Sequence, residues 1–206
     1  MLSPGARFRN HIRNKKGKTM GKHKRTAYQK ACAKLEEEGR KQCFLLYGAA
    51  GIALYRHWGL RMVAIGRLFE ITGEVWKTCA CDNMKSMIEM CEEETGIEIQ
   101  CGNGKSWRDL PYLNATLDAS HMTNAQFVYM RQRQVHWIAP QVMACILVAL
   151  HRKYGFGFDR CSRIYAQIKE IEEEYGHDPK RVKAACLELT GVNVEAVITT
   201  KREATA

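Results

Sequence analysis

The octapeptide ALYRHWGL, at Ala53–Leu60, has a counterpart in ALHRKYGF, at Ala149–Phe156, 96 residues further along the chain. Both copies begin with Ala-Leu, continue with four cationic or aromatic residues, and then have a glycine. This order is typical of a helix that ends at glycine, because glycine adopts the left-handed conformation that other residues resist. Each copy therefore predicts a helix end and a tight turn, at Gly59 and Gly155. The residues predicted to face the core are Ala53, Leu54, Ala149 and Leu150.

The segments after the two turns also match. LRMVAIGRLFEITGEVW follows the first glycine, and FGFDRCSRIYAQIKEIEEEY follows the second. Their matched residues recur at steps of three and four, which predicts one apolar stripe on a helix in each copy. At an offset of 96, the pairs are Ile65 with Cys161, Leu68 with Ile164, Phe69 with Tyr165, Thr72 with Ile168, and Val75 with Ile171.

A third helix is predicted in each copy, in CDNMKSMIEMCEEETGIEI and GHDPKRVKAACLELTGVNV. Asp82 and Asp178 are the predicted N-caps, and Pro179 suits the first helical position. Both segments end in Thr-Gly, so Gly96 and Gly191 are the predicted C-caps. The short alternating runs 97–99 and 192–194 follow, and these could pair as two tiny strands.

Together these segments predict an all-α protein, with two tandem copies of a three-helix unit packed as a pseudo-twofold bundle. The first repeat covers 26–99, a polar linker 100–121 and the second repeat 122–206, while 1–25 is a disordered basic tail. A three-helix unit of this size has a marginal core on its own. Packing the two copies into one compact domain removes that difficulty.

Two residues interrupt the predicted long first helix of the repeats. Gly39 is a point where the helix of the first copy breaks or bends. Pro140 either kinks the helix of the second copy or starts a new helix after Trp137.

Composition predicts a soluble intracellular protein. Apolar residues make up 46% of the 206 residues, yet no run approaches the ~18 apolar residues of a membrane span. The N-terminus lacks the apolar region of a signal peptide. The nine cysteines are odd in number and scattered, which favours reduced thiols in the core over disulfides.

Zinc is the alternative use of four of these cysteines. Cys79, Cys81, Cys91 and Cys101 are spaced C-x-C-x9-C-x9-C, whereas zinc ligand pairs are usually separated by about two to four residues. The buried-thiol interpretation is therefore favoured, with no metal and no cofactor.

The net charge of +10 is concentrated at the N-terminus. Residues 1–30 contain ten lysines and arginines and no acid, so the other 176 residues hold 22 cations and 22 acids. Such a segment attracts polyanions, which predicts contact with DNA or RNA. A solubilising leader is the alternative, as is an upstream extension that is not translated, with Met20 as the start. The predicted nucleic-acid-binding residues are Arg7, Arg9, Arg13, Lys15, Lys16, Lys18, Lys22, Lys24 and Arg25.

Two pairs of arginines are repeated at the offset of 96, Arg56 with Arg152 and Arg67 with Arg163. One interpretation makes them contacts to phosphate or to a protein partner. The favoured interpretation makes them ion-pair partners of nearby acids, repeated with the fold. The predicted acidic partners are Glu70, Glu74 and Glu170.

A glycine turn between helices also suggests a DNA-binding helix-turn-helix. The helix after each turn carries acids, such as Glu74 and Glu174, which phosphate repels. No glycine-rich phosphate loop or nucleophilic triad is present in the sequence, and the acidic pairs on the helices are interpreted as solvated faces. A non-enzymatic protein is therefore predicted.

The pattern LYRHWGLRMVAIGRLFEITGEVW, followed by MIEMCEEETGIEI, resembles short uncharacterised proteins of prophages in Gram-positive gut bacteria. The resemblance covers about 50 residues in each copy. It implies a phage or mobile-element context, and therefore the cytoplasm of a bacterial host cell, and it transfers no catalytic residue. The predicted function is regulatory nucleic-acid binding through the tail. The alternative is an inhibitor or adaptor that binds a host protein, and a homo-oligomer is compatible with either.

Overall fold

The computed structural model describes residues 26–79, 84–101, 105–106 and 123–203, and this part of the chain is almost entirely helical. The all-α prediction is confirmed. The helices are α1 (Ala27–Trp58), α2 (Met62–Cys79), α3 (Met84–Thr95), α4 (Asn124–Tyr154), α5 (Phe158–Glu174), α6 (Pro179–Thr190) and α7 (Val194–Glu203).

Two short strands, β1 (Gln100–Cys101) and β2 (Lys105–Ser106), form an antiparallel pair. The predicted pairing of 97–99 with 192–194 is wrong. Residues 97–99 have no regular structure, and Val194 begins α7. Asn193 explains the second difference, because its side chain caps α7 by accepting hydrogen bonds from the backbone N–H groups of Glu195 (3.0 Å) and Ala196 (3.3 Å).

The two long helices begin with the same capping box. In α1, Thr26 Oγ1 accepts from the Gln29 backbone N–H at 3.2 Å, and Gln29 Oε1 accepts from the Thr26 N–H at 3.0 Å. Thr123 and Gln126 repeat this exchange in α4, at 3.3 and 2.9 Å. These boxes satisfy backbone donors that no helical carbonyl can reach.

Both long helices also end as predicted. Gly59 and Gly155 have φ values of 65° and 62°, in the left-handed region. The next backbone N–H turns back to the helix in each case, from Leu60 to the Leu54 carbonyl at 3.1 Å and from Phe156 to the Leu150 carbonyl. The octapeptides therefore close α1 and α4.

Neither predicted interruption breaks a long helix. Gly39 lies inside α1 and faces α4, where a Cβ would lie only 2.6 Å from Ile138 Cδ1. The glycine is explained by this close approach between the helices. Pro140 lies inside α4, which continues on both sides of it, so no new helix begins after Trp137. Pro140 and the residues that follow it to position 150 are buried, and this burial stabilises the helix despite the missing N–H.

The core lies along the C-terminal parts of α1 and α4, where residues 45–54 and 140–150 are continuously buried. The four residues predicted to face the core from the octapeptides are fully buried. The predicted stripes on α2 and α5 are also buried, except that Tyr165 is half-buried. Within the described residues, no helix combines the length and the apolar character that crossing a bilayer requires.

Each long helix packs mainly on short helices from the other half of the sequence. Helix α1 contacts α5 and α6, whereas α4 contacts α2 and α3, and the two long helices contact each other. At the α1–α6 contact, a Cβ on Gly48 would lie 2.6 Å from Val182 Cγ1. At the α3–α4 contact, Cys145 Sγ lies 3.0 Å from Met87 Sδ. Helix α1 has little contact with α2, its neighbour in sequence.

The ends of α3 and α6 share one hydrogen-bond arrangement. Thr95 Oγ1 donates to the Cys91 carbonyl at 2.6 Å and accepts from the Ile97 N–H at 3.2 Å. Thr190 Oγ1 makes the same two bonds, at 2.7 and 3.1 Å, one helix turn after Cys186. The Thr-Gly ending therefore has a buried structural role in both helices.

The predicted caps of these helices are confirmed where they are described. Gly96 and Gly191 have left-handed φ values of 73° and 76°. Asp178 caps α6 by accepting from the backbone N–H groups of Lys180 and Arg181, and Pro179 occupies the first turn. Asp82 lies outside the described residues.

Candidate functional site

The nine cations predicted to contact nucleic acid all belong to 1–25, which lies outside the described residues. Their prediction rests on the sequence. The described residues therefore offer two kinds of candidate: the repeated arginines, and the clefts between the helices.

Arg56 and Arg152 are engaged in ion pairs between the two halves of the chain. Arg56 Nη1 lies 2.7 Å from Glu174 Oε2, and its Nη2 lies 3.1 Å from the Tyr175 hydroxyl. Arg152 makes a two-pronged contact with Glu94, with Nε 2.9 Å from Oε2 and Nη2 2.5 Å from Oε1. The hydrogen bond to Glu174 raises the pKa of Arg56.

The ion-pair interpretation holds for these two arginines, but the partners predicted for them are wrong. Proximity in sequence favours Glu70, Glu74 and Glu170, because they follow the two turns. The observed partners come from the opposite half, because each long helix packs there.

Arg67 and Arg163 differ from the other pair. Both are exposed, and neither forms an ion pair with a described residue. Arg163 lies with Arg160 and Trp58 around a surface pocket of about 390 Å³ at the start of α5. Gly157, the N-cap of that helix, provides no side-chain hydrogen bond to the first turn. Asp159 lies in the first turn of α5 and in the same pocket, so a carboxylate accompanies the two arginines at the positive end of the helix dipole.

The described cysteines are mostly buried, and their thiols are unreactive. Burial raises the pKa of the Cys91 thiol to about 12 and that of Cys161 to about 11. Thiols of this kind stay protonated at neutral pH, so they are poor nucleophiles and poor metal ligands. The buried-thiol prediction is confirmed for Cys91, Cys145 and Cys186.

The zinc alternative is only partly covered by the structure. Cys81 lies outside the described residues, and the side chains of Cys79 and Cys101 are not described. Among the side chains that are described, no group of three histidine, cysteine or acidic residues could hold a metal ion.

One cleft of about 700 Å³ contains a buried carboxylate. It lies between α1, α4 and α5, and its walls include Tyr165, Lys169, Glu172 and His177. Glu172 is only 6% exposed. Burial raises the pKa of its carboxyl group, Glu173 raises it further, and the charges of Lys169 and His177 lower it.

The turn after α5 sets the position of this carboxylate relative to His177. The His177 N–H donates to the Glu172 carbonyl at 2.8 Å, and the Gly176 N–H donates to the Glu173 carbonyl at 2.9 Å. These bonds form a Schellman motif. Both residues of the turn are left-handed, and His177, with φ 53°, is the one such non-glycine residue in the described part of the chain.

Sequence reasoning missed Glu172, because acids on α5 were interpreted as a solvated face. Its position did carry a signal. Glu172 comes four residues after Ile168 and next to Ile171, which places it on the buried stripe. An acid on an apolar stripe is the pattern that separates it from its exposed neighbours Glu173 and Glu174.

A second cleft, of about 740 Å³, lies between the N-terminal parts of α1 and α4 and is bordered by α7. Its walls include the paired rings of Tyr28 and Phe127, whose centroids are 5.8 Å apart. Trp76 and Ile198 extend the apolar surface.

Comparison with family models, curated proteins and solved structures finds no match for this chain.

Proposed function

We propose that this chain is a non-enzymatic protein of a phage or mobile element that binds nucleic acid through residues 1–25. One observation carries the proposal. The first 30 residues hold ten cations and no acid, while the remaining 176 are neutral overall. Neutralising several phosphates releases condensed counterions, which supports roughly micromolar binding at moderate salt without reading any sequence.

The helical body is proposed to serve as a duplicated support for this tail. Several contacts between the halves support a pseudo-twofold arrangement. Met62, at the start of α2, reaches the cap of α6, where a Cβ on Gly191 would lie 3.1 Å from Met62 Sδ. Phe158, at the start of α5, reaches the cap of α3, where a Cβ on Gly96 would lie 3.1 Å from Phe158 Cδ2. The pairs are related by the sequence offsets of 96 and 95.

Nucleic-acid binding by the tail is tested by fluorescence anisotropy with a labelled DNA duplex and a labelled single-stranded RNA. For the full chain, log affinity should fall linearly with log salt, with a slope of about −5 if six phosphates are neutralised. A chain that starts at Thr26 should lose most of the affinity and most of the salt dependence. Unchanged affinity after this truncation would contradict the proposal.

A charge-preserving variant is the matched control. Replacing Arg7, Arg9, Arg13 and Arg25 by lysine keeps every positive charge and should leave the affinity within about threefold, because the attraction is electrostatic. The double variant R67A/R163A tests the body. Weaker nucleic-acid binding by R67A/R163A than by the unmodified chain would show that the exposed arginines are part of the interface.

A protein-binding adaptor or inhibitor is the second candidate, and the apolar cleft beside Tyr28 and Phe127 favours it. Tyr129, on the same helix as Phe127, is 57% exposed, which is high for a large aromatic residue. Recovery of one host protein from a lysate, insensitive to nuclease and dependent on Tyr28 and Phe127, would support this candidate.

A further inference from the structure

We propose that the cleft containing Glu172 is a binding site for a small organic cation, an amine or amidine carried on an apolar body. This site goes beyond the proposed role of the tail, and it does not depend on it. The ligand would place its N–H groups against the Glu172 carboxylate and its apolar part against the walls formed by α1 and α4.

The Glu172 carboxylate is a buried hydrogen-bond acceptor without a donor from the described part of the chain. Glu172 is more than nine-tenths buried, yet its side chain makes no hydrogen bond or ion pair with any described residue. Buried acidic groups are almost always paired, because removing a carboxylate from water without a partner is costly. A ligand that brings N–H donors would remove this cost.

The charges around the carboxylate favour a cation over an anion. Lys169 and His177 face the cleft, but both are exposed and keep their contact with water. Glu38, the other acid in the walls, is held by Lys41 at 3.1 Å. Among the charged residues in the walls of this cleft, Glu172 is therefore the one that is shielded from water. Burial raises its pKa more than its two cationic neighbours lower it.

The shape and lining of the cleft suit a small molecule. A volume of about 700 Å³ lies within the usual range of roughly 300–1,000 Å³ for such sites. Most of the surface that α1 and α4 contribute is apolar, with Glu38, Gln42 and Gln132 as polar exceptions. The apolar wall residues are Leu35, Leu45, Leu46, Val135, Ala139, Pro140 and Met143.

The backbone keeps the site in place before any ligand arrives. The Schellman turn fixes His177 in a left-handed conformation that costs free energy for a residue with a side chain. Tyr165, on the same helix as Glu172, accepts through its hydroxyl from the Gln100 backbone N–H at 3.4 Å. This bond ties the start of β1 to α5 at the cleft.

The test uses benzamidine, benzamide and benzoate, which share one ring and differ in charge, together with 2-phenylethylammonium. Isothermal titration calorimetry on the full chain should show saturable binding of at least one of the two cations at millimolar concentrations or below. Benzamide should bind at least about tenfold more weakly than benzamidine, because a charge-assisted hydrogen bond is lost. Benzoate should not bind.

Two variants separate the cleft from general electrostatic attraction. E172Q keeps the shape of the side chain and should weaken binding of the cation by at least about tenfold. E173Q makes the same change in net charge at an exposed neighbour outside the cleft, and it should bind as the unmodified chain does. Circular dichroism on both variants verifies that the fold is retained.

Three results would overturn the proposal. The first is the absence of saturable binding by both cations, and the second is equal affinity of E172Q and the unmodified chain. The third is an equal loss in E173Q, which would assign the attraction to net charge. Selective loss in E172Q supports it.

Discussion

Glu172 is an ionisable residue on the buried, apolar face of α5. The α5 residues that share its buried face are cysteine and isoleucine, and these pack into the core without polar demands. A carboxylate at this place must lose its water. The consequence is a carboxyl group whose pKa is raised chiefly by burial.

This shift leads to a prediction about stability and pH. Because the pKa of Glu172 is higher in the folded than in the unfolded chain, its contribution to stability is fully present below the unfolded pKa of about 4.3. That contribution is lost as the pH rises through the folded pKa. The E172Q variant removes this loss, so at pH 7 it should be more stable than the unmodified chain.

Chemical denaturation at a series of pH values measures this effect. The difference in free energy of unfolding between E172Q and the unmodified chain should shrink towards zero at about pH 4 and below. E173Q should stay within about 0.5 kcal/mol of the unmodified chain throughout, because Glu173 is exposed. A destabilised E172Q at pH 7 would mean that the carboxylate has a stabilising partner. If the proposed site exists, E172Q should therefore be more stable than the unmodified chain and bind the cation more weakly.

At the scale of elements, the contact between α1 and α6 depends on an absent side chain. Gly48 is buried in the middle of α1, and a Cβ there would lie 2.6 Å from Val182 Cγ1 and 3.4 Å from the Val182 carbonyl oxygen. Val182 is fully buried and branched at Cβ, so it has few alternative positions. Glycine is unfavourable inside a helix, and here close packing explains its presence.

Gly48→Ala should therefore destabilise the protein. The better helix propensity of alanine contributes about 1 kcal/mol in its favour, but overpacking costs about 1–3 kcal/mol. We expect a net loss of about 1–2 kcal/mol in the free energy of unfolding, measured by urea denaturation.

Gly66→Ala is the control for helix propensity. Gly66 lies in α2, and a Cβ there would meet nothing within 4 Å. Its replacement should stabilise the protein by up to about 1 kcal/mol. The same sign of change in both variants would show that propensity, and not the contact with Val182, decides the effect.

The elements could be predicted from the sequence where their signals are local. The Asp-Pro start of α6, the Thr-Gly ends and the two octapeptides all act within one helical turn, so a few residues are enough to reveal them. The local rule for proline left open a new helix after Trp137, because that rule ignores burial, which depends on the rest of the molecule. The predicted strands 97–99 and 192–194 are absent because two alternating apolar residues cannot distinguish a strand from the irregular residues that precede a helix.

The partners of each element could not be predicted in the same way. Sequence proximity suggested that Arg56 and Arg152 would pair with acids beyond the adjacent turn. The structure pairs Arg56 with Glu174, 118 residues away, and Arg152 with Glu94, 58 residues away. No local pattern encodes this choice, since it follows from how α1 and α4 cross. The cleft at Glu172 has the same origin, because its walls come from three separate helices.

At the scale of the whole molecule, the reciprocal packing joins the two halves of the chain. Tyr154 donates its hydroxyl to the Ala64 carbonyl at 3.1 Å, and Trp58 donates its indole N–H to Gln167 Oε1 at 2.8 Å. Each long helix thus ends on the second helix of the opposite half. A half that is separated from its counterpart would expose the buried faces of α1 or α4 to water.

This arrangement predicts that neither half folds as a monomer, while the two halves fold together. Fragments 26–101 and 123–203, prepared separately, should each show weak helical circular dichroism and no cooperative thermal transition. An equimolar mixture should recover the helical signal and unfold cooperatively, with a midpoint that rises with concentration because association and folding are coupled. Size-exclusion chromatography should show a 1:1 complex. A fragment that unfolds cooperatively as a monomer, near the midpoint of the intact chain, would contradict this prediction, since its own helices would then be sufficient for a core.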